Sequence, residues 1–225
     1  MRNRTRGLLA VLLLAMAPVI AIAPLGRADL ETCPAVCDRI PSSAWPDSSA
    51  LPLDSGYHWP MLSRVAAPVA MPRFQFEDIC ARPPVPDERT FAVTARAEAG
   101  QPDDQWRLQA QVVHWRGETW RTGQWAASVF DAAAAALRAC QVTAPPFSPS
   151  ITTAEPNRLA AVISGPVIVH QYLLVDPRSG TITEVAFSTT AAAGSAAMPW
   201  PAWGDGRVFD AISARLCTAY LGSCG

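Results

Sequence analysis

The sequence predicts an α+β fold: a single antiparallel β-sheet with helices packed on one face, stabilised by disulfides. Three observations carry this. Strand patterns come in groups, three and then a helix, three more and then a helix, without the alternation that a parallel sheet needs. Turn clusters at 100–104 and at Asp176-Pro177-Arg178-Ser179-Gly180 separate apolar runs as hairpin turns do. Six cysteines, an even count, follow an export signal and read as three disulfides.

The signal is residues 1–28. A basic stretch (Arg2, Arg4, Arg6) precedes an apolar run over 7–23, and Gly26-Arg27-Ala28 is a small-x-small cleavage site. The apolar run has about 17 residues, short of the ~20 that span a bilayer. Cleavage near Ala28 predicts a secreted or envelope protein with no membrane span in the mature chain. Glu31 before Cys33 argues against a lipoprotein. Residues 29–72 are Pro- and Ser-rich and hold Cys33 and Cys37. A short helix is expected over 33–40, then irregular chain anchored by Trp45 and Trp59. Residues 73–225 are expected to form the α+β domain.

Within that domain, 74–80 reads as a short strand. Residues 89–98 alternate, with Phe91, Val93, Ala95 and Ala97 opposite Thr94, Arg96 and Glu98. Residues 106–115 alternate again and pair with them as a hairpin. Residues 124–141 are the clearest helix. An alanine run at 132–136 has the highest helix propensity available, and Val129, Phe130, Ala133, Leu137 and Cys140 form a stripe. Strands follow at 157–164, 166–175 (apolar on both faces) and 181–189. A Pro- and Trp-bearing loop leads to a last helix at 207–221, with Asp205 as its expected cap.

Cys80 and Cys140 stand alone and are natural partners. Cys33 and Cys37 are close enough to bridge. They and Cys217 and Cys224 either pair locally or lace the two ends together. Metal binding needs a second close pair, and Cys217-x6-Cys224 is too loose.

All 18 basic residues are Arg. The mature chain keeps 14 of them against 19 acids, a net charge of −5. Such a surface is a poor partner for nucleic acid. Without lysine there is no P-loop lysine, Schiff base or pyridoxal anchor. No cofactor is expected.

Four features resemble the extracellular sensor domain of mycobacterial PknH-type kinases. They are Glu77-Asp78-Ile79-Cys80, the strand ending His114-Trp115, the Ser128-Val129-Phe130-Asp131 opening of an Ala-rich helix closing on Arg138-Ala139-Cys140, and the strands around Ala161-Val162-Ile163 and 167–175. The resemblance covers about half the mature chain. It implies a ligand-binding cleft, an unknown ligand and no catalysis. This chain carries no kinase segment, so signalling would require a membrane protein partner.

The expected reading is a non-enzymatic binding or sensor-like domain for an envelope lipid, glycan or peptide. The alternatives are a secreted hydrolase with a non-standard histidine-dependent site, or an envelope interaction protein without a small ligand. His58, His114 and His170 are too scattered for a ready metal site. No G-x-S-x-G elbow occurs. The paired acids Glu77-Asp78, Asp87-Glu88 and Asp103-Asp104 read as turns. Binding is expected at Trp115, Trp120, Trp200 and Trp203, aromatics near loops. The polar strand face with Arg96 and Arg107 is the other candidate for a polar ligand.

Overall fold

The computed structural model describes residues 32–82, 87–100, 105–190 and 198–223. The expected signal peptide, the 83–86 and 191–197 loops, the 101–104 turn and Cys224 lie outside them. The elements are α1 (Asp54–Tyr57), α2 (Leu62–Val65), β1 (Ala67–Pro68), α3 (Gln75–Ile79), β2 (Val93–Gly100), β3 (Arg107–His114) and α4 (Thr119–Thr143), then β4 (Ser148–Ala154), β5 (Arg158–Ser164), β6 (Val167–Asp176), β7 (Thr181–Thr190) and α5 (Asp205–Ala219). The seven strands form one sheet, antiparallel throughout, in the order β1-β2-β3-β7-β6-β5-β4.

The helices divide between the two faces instead of sharing one. On the first face, α3 and α4 cover Val113, Ile163, Val169, Leu173 and Ile182. On the second, α5 and the N-terminal segment cover Leu108, Val112, Tyr172, Val185 and Phe187. The reason lies in β6 and β7. Both are apolar on alternate and intervening positions, so each face needs a cover. Trp45 (5% exposed) and Trp59 (6% exposed) anchor the segment on the second face. Each ring removes about 200 Å² from water, on the order of 5 kcal/mol of transfer free energy.

Four local expectations change. Residues 74–80 are helical, because Glu77 Oε2 accepts the Phe74 N–H at 2.8 Å and closes the first turn. Residues 33–40 form turns. There Cys33 N–H donates to Ala219 O at 2.7 Å and Cys33 O accepts from Leu221 at 2.9 Å, a parallel bridge that ties the segment to the end of α5. Gly204, without a side-chain bond, caps α5, while the Asp205 carboxylate accepts from Thr153 Oγ1 at 2.6 Å. An extra strand, β4, forms the sheet edge, where Pro149 and a bulge between Ile151 and Thr153 are tolerated.

Cys33–Cys37 and Cys80–Cys140 are disulfides, and Cys217 is also disulfide-bonded. Cys80–Cys140 joins the end of α3 to the last turns of α4. Gly123 lets α4 lie against the 176–180 turn: a Cβ there would collide with Pro177 O. Among the described residues no helix is long and apolar enough to cross a membrane.

Candidate functional site

The four tryptophans expected to bind do not converge. Trp115 is fully buried, its Nε1 donating to Glu88 O at 2.7 Å, so it belongs to the core. Trp120 is 59% exposed on the first turn of α4 and donates to Glu118. Trp200 stacks on His170 at 3.6 Å and meets Phe187 edge-on at 5.3 Å, which makes it a cover for the second face. Trp203 lies under Arg207 at 3.6 Å. A single aromatic cleft is therefore not assembled.

The polar strand face does assemble. Pairing of β2 with β3 sets Arg96 opposite Gln111, Glu98 opposite Gln109 and Gly100 opposite Arg107. Pairing of β3 with β7 then sets Gln111 opposite Glu184. Glu184 is fully buried. Its Oε1 accepts from the Gln75 backbone N–H at 2.6 Å and from Gln171 Nε2 at 3.0 Å. Its Oε2 accepts from Gln109 Nε2 at 3.1 Å. Burial pushes its carboxyl up to about 7, against the opposing pull of these donors and of nearby Arg96. Arg96 is held by Gln111 Oε1 (2.8 and 3.0 Å) and by Arg73 O (2.7 Å). Gln171 Oε1 is buried without a hydrogen-bond partner.

Two hollows of about 400 Å³ each open beside the donors to the Glu184 carboxyl, and both are lined by Gln75, Arg107 and Ser188, while Glu184 itself lines neither. Glu98 and Gln109 complete one of them, and Gln105 and Thr190 the other. Together they make a polar cleft at the end of the sheet that α4 leaves uncovered. It offers a guanidinium, the Glu98 carboxylate, amides and hydroxyls. Sequence reasoning found Arg96, Arg107, Gln109 and Gln111 from their alternation but missed Glu184 and Gln171. The available signal was a carboxylate in the middle of the otherwise uncharged strand 181–190.

Glu77, Arg89, His114 and His170 lie outside this cleft. Glu77 is 1% exposed and forms a two-pronged pair with Arg89 (2.7 and 3.0 Å), which also binds Asp87 at 2.6 Å. Glu77 is thus no solvated turn residue: this pair locks α3 to the turn before β2. His114 is buried, its Nδ1 2.9 Å from Thr181 Oγ1 and its ring stacked on Tyr220. Burial pushes both His114 and His170 down to about 4, so both are neutral at pH 7. Among the described residues neither ring is hydrogen-bonded to a serine hydroxyl or a carboxylate; His114 meets the Ser179 backbone, and His170 feels the charge of Asp205. No group of three or more His, Cys, Asp or Glu among those residues is placed to hold a metal.

No family model, no curated protein and no solved structure matches the chain.

Proposed function

We propose that the mature chain is an exported, non-catalytic binding domain that holds a small polar ligand in the cleft over Glu184. The observation that carries this is a fully buried carboxyl bonded by three N–H donors, two of which come from residues that line the adjoining hollows: Gln75 lines both and Gln109 one. A sheet that served only as scaffold gains nothing from burying a carboxylate, which costs several kcal/mol before its partners offset it. The mixed donors and acceptors suit a ligand with both, such as an amino acid, a hydroxy acid or a polyol. Hollows above ~300 Å³ favour this over an interaction protein without a small ligand. A hydrolase would need an activated nucleophile beside a base and open to substrate; the one hydroxyl beside His114, that of Thr181, is fully buried with it. The reading agrees with the resemblance to the PknH-type sensor domain, whose proposed role is also ligand capture.

The test is an NMR titration of the mature protein with a panel of amino acids, hydroxy acids and polyols. A binder is expected to move the side-chain amides of Gln75 and Gln109 and the Ser188 backbone signal. Arg107→Ala is expected to weaken an anion-bearing binder at least ~10-fold. Binders that leave Gln75, Gln109 and Ser188 unmoved would defeat the proposal.

A further inference from the structure

We infer that a second groove, between the N-terminal segment and α5, is a binding site for a neutral saccharide. It is the larger hollow, about 610 Å³, and it lies on the opposite face of the sheet from the polar cleft. That volume is in the range of small-molecule sites. Its floor is apolar: Trp45, Trp59 and Leu62 are each less than a tenth exposed, and Met61 stands at the rim.

The walls carry short hydrogen-bonding groups of both kinds. Among the described residues the Ser42 and Ser63 hydroxyls, the His58 ring and Asp54 Oδ2 make no side-chain hydrogen bond, and all four residues line the groove. Asp54 is fixed in place, because its Oδ1 accepts the Trp59 N–H at 2.9 Å. On the α5 side, Arg215 bonds Asp47 Oδ2 at 3.1 Å and closes the groove with an ion pair. Hydroxyls and imidazole both donate and accept, and the carboxylate accepts from paired hydroxyls. An apolar floor receives the C–H side of a sugar ring. The charge balance selects against other ligands. Two carboxylates face one guanidinium that is already paired, which disfavours an anion. The polar walls disfavour a lipid chain.

The backbone gives an independent reason. Leu53 (φ 68°) and His58 (φ 50°) are both left-handed and non-glycine, and they bracket the four-residue α1. Such residues cost on the order of 1–2 kcal/mol each and gather at ligand sites. Here the two bends hold Asp54 and His58 on one wall.

The test is a titration of the ¹⁵N-labelled mature protein with maltose, cellobiose and sucrose to ~50 mM, with glucuronate as an anionic control. Saturable shifts are expected on the Trp45 and Trp59 indole signals and on the His58 backbone, with Kd in the ~millimolar range and weaker binding of glucuronate. Ser63→Trp fills the groove and is expected to abolish the shifts. His58→Gly relieves the left-handed strain while deleting the imidazole, so it is expected to fold as well as wild type and to raise Kd at least ~5-fold. The inference is overturned if no sugar gives a saturable shift, or if the shifts survive Ser63→Trp. It is also overturned if they gather on Gln75, Gln109 and Ser188, which would assign the sugar to the polar cleft instead.

Discussion

Replacing Glu184 by Gln tests the site most directly, because its consequence has a defined pH signature. The folded carboxyl titrates at about 7, against an ordinary value of 4.5. The folded state therefore binds this proton more tightly than the unfolded chain does. Between pH 4.5 and 7 folding takes up a proton, and stability falls as pH rises. At 1.36 kcal/mol per pKa unit the loss is about 3 kcal/mol, complete by about pH 8. Glutamine has nearly the same shape and no charge. Its carbonyl oxygen can keep the bonds from Gln75 N–H and Gln171, and Gln109 can turn its amide to accept from the new NH₂ group. The variant should lose this pH dependence at a modest local cost. Urea unfolding followed by circular dichroism at pH 5, 6, 7 and 8 is the assay. Wild type minus variant should drop by about 2 kcal/mol across pH 5 to 8, the rest of the loss falling below pH 5. Every other group titrates in both proteins and cancels in the difference. Parallel curves for the two proteins from pH 5 to 8 would refute the burial argument.

Other changes have equally defined outcomes. Arg89→Met leaves Glu77 buried with only the longer Arg82 contact (3.7 Å) and should cost about 3 kcal/mol, whereas Arg89→Met combined with Glu77→Gln should recover at least half of that in urea unfolding. His114 and His170 are folded at about 4 against 6.5 unfolded. The unfolded chain binds more protons in that window, so stability should fall as pH drops from 6.5 to 4, by up to about 3 kcal/mol for each ring. His170→Phe keeps the stack on Trp200 and should remove roughly half of this acid loss; an unchanged acid limb would contradict it. Losing the Cys80–Cys140 bridge, whose ends are 60 residues apart, should cost about 4 kcal/mol on the chain-entropy account, read as a lowered urea midpoint of Cys80→Ala/Cys140→Ala.

What the sequence revealed was what a single strand or helix determines by itself. The hairpin of β2 and β3 was legible because one of its faces is wet, so its period of two is clean. The alanine run made α4 legible. The errors came where distant chain decides. Phe74 and Phe76 imitate strand alternation over too short a stretch, although Glu77 three residues after Phe74 was a legible capping signal. Ser148-Pro149-Ser150 reads as loop until an edge is available to it. Trp200 was expected to bind ligand because its partners His170 and Phe187 lie on two distant strands. Glu184 was invisible as a buried group because its donors come from positions 75, 109 and 171.

The placement of the polar cleft follows from a feature that spans the central strands. On the face shared with α4, β3 carries Gln109 and Gln111 and then Val113, and β7 carries Ile182 and then Glu184. On β6 the same face has Gln171 and then Leu173 and Val175. Register sets Gln111 beside Glu184, and Glu184 beside Leu173. On β3 the change from polar to apolar falls between Gln111 and Val113 and on β7 between Glu184 and Ile182, whereas on β6 Gln171 is flanked by Val169 and Leu173. Helix α4 packs on the apolar end, where burial is favourable. The five-residue α3 alone reaches the polar end, and its Gln75 N–H enters the carboxyl's bonding set. The polar side chains of β2, β3 and α3 thus border the hollows where covering the sheet would gain least.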